Sequence, residues 1–404
     1  MAAGIDGDAG LAPRAESPRQ GEPSVYAERS PLRGLLIRAP SGESSPRSGL
    51  MPSTHSRPAC RGIHPAGLFA LVLATGALTG CGGAQQPRAA SAPARPRAPD
   101  VHGEPLALLP PLPLVWLRVE MNGVRLSQHW EGAFPLLQTN AGESLATMER
   151  ELGFDPLRAA DTIALGLYAP PGARPGDGTH AWPVLYARGQ IQRDAIIAAA
   201  RARARPDDPL AERTMEGVSY YATRERGYLF PADDVVMVFD ASLTRRVVRQ
   251  LQGLEQESPA RETRFDSLWS QADGRGGAIQ FAGDIAALRA IGAPVDEVAT
   301  AAGQGNAGAS RIEQAVIRAD VDAAVSVRIA ALASDPDAAH RVVADIDAVR
   351  TALMRRWDVR LLGMSRLLMQ GLTDVSEGRT VRIRVDAQPS EVVRLLRVAR
   401  IAAQ

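Results

Sequence analysis

The chain contains no lysine: all 46 basic residues among its 404 are arginine. Without lysine there is no G-x-x-x-x-G-K-[ST] phosphate loop. Schiff-base catalysis and a serine–lysine pair are excluded for the same reason. Cysteine is nearly absent too, with only Cys60 and Cys81 present. They flank an apolar run, which argues against a structural disulfide between them. Nothing after Cys81 carries a thiol, so a cysteine nucleophile, an iron–sulfur cluster and a thiolate zinc site are excluded from everything that follows. The net charge is only +1, and no global field invites nucleic acid. The composition, 45% hydrophobic and 23% charged, is that of an ordinary globular protein, and the length allows two or three domains.

What is present begins with a targeting pattern. Arg57 and Arg61 precede AGLFALVLATGA at 66–77, a positive start followed by a short apolar core. That core is too short to cross a bilayer as a helix, which takes ~20 apolar residues. It runs into Leu78-Thr79-Gly80-Cys81. An aliphatic residue, two small residues and a cysteine in this setting resemble the lipobox of bacterial lipoproteins. The resemblance implies that the Cys81 thiol takes a diacylglyceryl group and that the leader is cut just before it. Leu78, Thr79 and Gly80 are then the signal-peptidase recognition residues, and the new amine is acylated, for example with palmitate. It also implies a cell-envelope protein held to the membrane by lipid, in the outer membrane and facing the periplasm or cell surface. The partners implied are that membrane and an envelope protein; neither a nucleic acid nor a cofactor is. Residues 1–50, rich in Pro, Arg, Ser and Gly without apolar periodicity, read as disordered or as an extension upstream of a start at Met51. Residues 51–80 are then the signal peptide.

Residues 81–112 are rich in Pro, Ala and Arg and read as an extended tether. From Pro113 onward, strands alternate with amphipathic helices. Val115, Leu117, Val119 and Met121 alternate with Trp116, Arg118 and Glu120 as in a half-buried strand. A helix is expected over 123–151, and Asp155-Pro156 reads as an N-cap with proline at N1. Strands are expected at 162–169, 182–189, 217–223, 226–230 and 234–240, with helices at 192–204 and 242–252. The order then recurs: strands at 276–282, 312–321, 324–332 and 379–386, with helices at 284–291, from Asp335-Pro336 through Leu353, and at 358–371 and 390–402. Segment 235–251 echoes 381–396, with Asp240 matching Asp386, and 184–195 echoes 327–338. The expected fold is therefore α+β: two tandem ferredoxin-like (βαββαβ) units, 113–255 and 256–404, each with its own sheet and helices on one face. This part resembles uncharacterised tandem α+β lipoproteins of GC-rich, myxobacteria-like bacteria, a resemblance that implies no activity.

Chemical motifs are sparse. GQGNAG at 303–308 fits G-x-G-x-x-G but lacks the preceding strand and following helix that phosphate binding needs. His102, His129, His180 and His340 have no second metal-type residue at ligand spacing, and are expected to be solvated or singly hydrogen-bonded. The acidic pairs 207/208, 233/234, 320/322 and 335/337 raise glycoside-type chemistry, but Asp335 suits a helix cap and 233/234 a turn. GMSRL at 363–367 fails the nucleophile-elbow pattern at its last position. Arg318, Arg328, Arg382 and Arg384 alternate with apolar residues on three strands. They form either an anion-binding face or a solvated face neutralised by Asp320, Asp322 and Asp386. The leading expectation is a non-enzymatic binding or structural role. An envelope hydrolase remains an alternative, as does a solute-binding protein with a ligand between the units, walled by Trp116, Trp130, Trp182 and Trp269.

Overall fold

The computed structural model describes residues 98–394 apart from 171, 174–180, 256, 292–308, 322–323, 356–365, 368 and 370–371. All of these lie in the compact unit Cys60–Gln404. The lipobox, GQGNAG, His180 and most of GMSRL fall outside the described residues.

The chain enters its first strand, β1 (Val115–Glu120), and passes into α1 (Met121–Leu126) and α2 (Trp130–Leu152). Gly153, with φ 77°, stops α2, a left-handed position that costs glycine nothing. Asp155 accepts a bond from the Leu157 amide at 2.9 Å and Pro156 takes N1 of α3 (Pro156–Ala159), as the sequence predicts. Strands β2 (Ala160–Tyr168) and β3 (Trp182–Gly189) follow, then α4 (Arg193–Arg203). Four strands then lead back towards β3: β4 (Ala211–Met215), β5 (Val218–Ala222), β6 (Arg226–Ala232) and β7 (Val235–Asp240). After α5 (Thr244–Leu251) and α6 (Asp266–Gln271) come β8 (Ile279–Asp284), α7 (Ile285–Ala290), β9 (Ile312–Val321) and β10 (Val325–Ala333). Helix α8 (Pro336–Arg355) and the hairpin β11 (Leu372–Glu377) and β12 (Thr380–Ala387) complete the described elements. The Asp335 carboxylate caps α8 by accepting from the Ala338 amide at 2.7 Å.

The strands form one sheet rather than two. Its order is β11-β12-β10-β9-β8-β1-β2-β3-β7-β6-β5-β4, and its ladders are antiparallel. The α+β class holds. The two separate sheets do not, because β1 and β8 pair directly, Leu117 opposite Phe281. A ferredoxin-like unit also needs a parallel pair built by a βαβ crossover, and antiparallel meanders stand in its place. Outward from the β8/β1 pair, the order is the same on both sides for five strands: a three-strand meander, then a hairpin whose second strand returns to the meander edge.

Helices also cover both faces, contrary to the one-face expectation. On the first face, Leu117, Leu165 and Phe281 pack with Met121, Val124, Ile285 and Leu288 from α1 and α7. Helix α4 contributes Ile196 and Ala200 against Val236 and Val238, and α8 covers Val381. On the second face, Trp116, Tyr186, Met237 and Phe239 pack with Val247 and Val248 of α5 and Leu268 and Trp269 of α6. The reason is legible in β7, VVMVF, whose apolar residues do not alternate, and a strand apolar on both sides needs cover on both. Residues 98–112, read as the end of a tether, are packed here as well: Leu108 and Leu109 are fully buried and Leu106 is 3% exposed. These three leucines outweigh the proline-rich composition of the segment.

Gly189 closes the β2–β3 ladder with φ +154°, and a Cβ there would meet the Ala159 carbonyl and lie 2.7 Å from the Asp161 amide. Gly189→Ala is expected to cost about 2–4 kcal/mol, read as a lower urea midpoint. A loss below about 0.5 kcal/mol would show that this junction yields freely.

Candidate functional site

Two arrangements on the second face bring polar chemistry together. The first is the arginine row. Ladder register places Arg384, Arg328 and Arg318 side by side on β12, β10 and β9, followed by Gln280 on β8 and Arg118 on β1. Three of the four nominated arginines are thereby adjacent. Arg382 lies one ladder step away, opposite Ala330, and pairs with Glu377.

The row is closed by an acid from outside the sheet. Asp273, just after α6, accepts Arg328 Nε at 2.9 Å and Arg384 Nη2 at 2.6 Å on its carboxylate. Its main-chain carbonyl accepts Arg318 Nη1 at 2.6 Å. Asp320 takes Arg318 Nε at 2.9 Å and Asp386 takes Arg328 Nη2 at 2.7 Å. Asp273 holds φ 60°, and Gly274, Gly276 and Gly277 beside it are also positive, so the loop bends sharply to bring this acid over the row. Burial raises the Asp273 pKa, but hydrogen bonds from Arg328 and Arg384 and their charges outweigh it, and the net shift is downward. Carboxylates of the chain itself stand where an external anion would.

The second arrangement is a line of donors beneath Val101–Pro113, the strap. Tyr186 donates its hydroxyl to the Val101 carbonyl at 2.9 Å, and Arg188 donates to that of His102. Gln250 Nε2 reaches the Ala107 carbonyl at 2.6 Å and Tyr168 that of Pro110 at 2.7 Å. Arg246 donates to Pro111 at 2.5 Å and Arg264 to Pro113 at 2.6 Å. Burial holds the Tyr168 phenol well above its ordinary pKa and pushes Tyr186 up to about 12, so both remain donors at any physiological pH. Beneath the strap, Trp116 stacks on Trp269 with centroids 5.7 Å apart. Glu262, whose pKa is raised by burial against the opposing pull of Arg264, sits 2.8 Å from Arg264 Nη2. Sequence reasoning missed this line entirely. Its one signal was an apolar LALL inside a proline-rich stretch.

The remaining nominated residues are dispersed. His102 lies exposed, 3.5 Å from Asp234, and His340 is exposed on α8. His129, expected to be solvated or singly hydrogen-bonded, is instead 2% exposed at the start of α2, with neither ring nitrogen hydrogen-bonded. Asp208 accepts the Arg224 amide on both oxygens, and Asp335 is spent on its cap. Trp116 and Trp269 are core residues, and Trp130 packs against Phe134 with ring centroids 5.0 Å apart and the planes tilted by 39°. Among the described residues no group of three or more His, Cys, Asp or Glu is arranged to hold a metal, and no helix is long and apolar enough to cross a membrane.

No protein-family model matches the chain, and no curated protein matches it significantly. Among solved structures, crystal form III of TP0453 is similar at 11% identity and a TM-score of 0.37, covering 76% of this chain and 100% of that one. Crystal form I gives 9% identity, a TM-score of 0.35 and coverage of 74% and 97%. Form IV gives 12%, 0.36 and the same coverage as form I. The likeness is coarse and assigns no activity.

Because the folded Asp273 pKa is depressed, its stabilisation is complete above the ordinary aspartate value of ~3.9 and disappears as pH falls through the folded value. Asp273→Asn is therefore expected to lower Tm relative to wild type near neutral pH. The gap should close towards about pH 2. A gap independent of pH, followed by thermal unfolding, would show that the carboxylate charge is not what holds the row.

Proposed function

We propose that this chain is a lipid-anchored extracytoplasmic protein with a non-enzymatic binding or structural role in the cell envelope, held in the outer membrane and facing the periplasm or cell surface. The observation that carries the reading is Leu78-Thr79-Gly80-Cys81 directly after the apolar run 66–77, with Cys81 as the lipid acceptor. A peptidase must approach the backbone at Thr79 and Gly80, which small side chains allow, and the thiolate is the nucleophile that takes the lipid.

The geometry downstream supports the same reading. The arginines nominated for anions are each met by a carboxylate of the chain, and Asp208 and Asp335 are engaged in local backbone structure. We read residues 82–97, between Cys81 and the first described residue, as a tether, on their Pro-, Ala- and Arg-rich composition. At ~3.1 Å per residue an extended proline-rich linker of that length reaches about 50 Å, enough to hold the body clear of a bilayer surface. We also read the body as two copies of one meander–helix–hairpin unit, within 113–255 and 256–404, joined edge to edge. The mirrored strand order supports it.

Replacing Cys81 with Ser tests the anchor. In an envelope-bearing bacterial host the wild-type chain is expected to incorporate labelled palmitate and to begin at Cys81 in its mature form. The Cys81→Ser variant should lose the label completely and accumulate as uncleaved precursor or soluble product. Equal labelling, or equal membrane partitioning and mass, would overturn the lipobox reading.

A further inference from the structure

One carboxylate of the second-face core is enclosed with fewer partners than its charge requires. Glu262 lies in the loop before α6, and its side chain is 7% exposed. Both of its oxygens are buried, and neither accepts a hydrogen bond of full geometry. An ionised carboxylate offers about four lone-pair sites, and enclosing one without hydrogen bonds is among the costliest arrangements in a fold. Its own loop supplies Arg264, with Nη2 2.8 Å from Oε1. Arg275 donates to the Glu262 main-chain carbonyl and pairs with Asp266 of α6 at 3.0 Å. From β1 comes the Trp116 N–H, close enough to lower the carboxyl pKa yet completing no hydrogen bond. The N–H of Trp269, in the ring stacked on Trp116, is also buried and unbonded. From β2 comes Tyr168, whose phenol pKa the Glu262 charge raises and whose hydroxyl is committed to Pro110. Arg246 of α5 lies over that phenol ring, 5.1 Å from its centroid. Arg264 is itself divided. The same Nη2 donates to the Pro113 carbonyl at 2.6 Å, and Nη1 lies 3.8 Å from Asp284 at the end of β8.

We propose that Glu262 is a proton-binding site built into the second-face core, a pH-sensitive brace in which one guanidinium, Arg264, is shared between this carboxylate, the Pro113 carbonyl and Asp284. Ionised, Glu262 draws on Arg264 Nη2. Neutral, it leaves that nitrogen to Pro113, the last strap carbonyl before β1, and places no unmatched charge beside the tryptophan stack. The proton comes from water on acidification and returns to water when pH rises, and no covalent bond between heavy atoms changes. Burial is the largest influence on the Glu262 pKa and raises it; the charges of Arg264 and Arg275 and the Trp116 N–H oppose it without cancelling it. A folded value above the unfolded ~4.3 means that the folded chain keeps a proton the unfolded chain has released. The stabilisation is then complete below the unfolded value and is lost as pH rises through the folded one. This is opposite in sign to Asp273, so two acids of the same face respond to pH in opposing senses. The site stands on these contacts alone and does not depend on the lipid anchor.

The tryptophans beside the site report on it. Full-length, unlipidated protein is titrated between about pH 8 and pH 4, a range spanning the ordinary glutamate value and the region above it, while tryptophan emission is followed. Wild type is expected to show a one-proton change in emission centred above ~4.3, and Glu262→Gln to lack it. Subtracting the variant removes what the histidines and the other acids contribute. Urea unfolding supplies the linkage. As pH falls from about 8 to about 5, the folding equilibrium constant of wild type relative to Glu262→Gln should rise at least ~3-fold. Asp284→Asn removes a competing carboxylate while keeping an acceptor for the Ala287 amide, so Arg264 is left to Glu262 and the emission midpoint should move down. A wild-type profile that superimposes on that of Glu262→Gln, a midpoint at or below ~4.3, or a stability ratio indifferent to pH would overturn the proposal. If Glu262→Gln does not fold, the Asp284→Asn profile decides: a lowered midpoint supports the brace, and an unmoved one overturns it.

Discussion

The antiparallel pair β1–β8 sets the terms for everything else in the fold. With Leu117 opposite Phe281 and Val119 opposite Ile279, it joins two meanders that would otherwise each present an unpaired edge, the hazard that sheet proteins take care to bury. The pair makes one wide sheet whose centre is covered on both faces. Strands in that position have no solvent side, and their second-face residues, Trp116 on β1 and Ala282 on β8, are 1% and 0% exposed. The edges fall to β4 and β11, where β4 is short and its first four residues are exposed.

Covering the second face creates a further demand. Irregular chain laid over an apolar surface carries carbonyls with no ladder partner, and each one buried must find a donor. Arginine supplies several of these, and the absence of lysine becomes consequential at this point. A planar guanidinium can serve a carbonyl and a carboxylate at once, as Arg318 does for Asp273 and Asp320. Arg275 similarly serves the carbonyls of Ala260 and Glu262 together with the Asp266 carboxylate. A lysine is a point charge on a flexible stem and lacks that fork.

Much of the local structure was legible in the residues. The caps at Asp155 and Asp335, the strand at 182–189 and the strand expected at 324–332 and found at Val325–Ala333 follow from turn chemistry and periodicity. The echoes at 184–195/327–338 and 235–251/381–396 fall on strands in matching places, β3 with β10 and β7 with β12. The residue match itself is one position out of register. Val184 faces the second-face core and Val327 the first, and in a strand a one-residue slip exchanges the faces. The single sheet was not legible, because nothing in a sequence announces that two strands over 150 residues apart will pair. The strap was missed for a composition reason. Proline density dominates its average, although its three leucines decide its fate. The arginine row was foreseen as a juxtaposition, but Asp273 was not, since it arrives from a loop with left-handed geometry rather than from the strands.

Energetics place the strap in an unusual position for a linker. Burying three leucines contributes roughly 1.5–3 kcal/mol each, a sum comparable to the whole stability of a typical domain, about 5–15 kcal/mol. A segment so costly to vacate cannot be a passive spacer. Nor is it an ordinary core element, because its backbone is held by side chains from distant elements instead of by its own ladder. The irregular path is met by donors brought from separate parts of the fold: Tyr168 of β2, Gln250 of α5 and Arg264 of the loop before α6 each donate to one of its carbonyls, so the leucines stay buried without leaving those carbonyls unpaired.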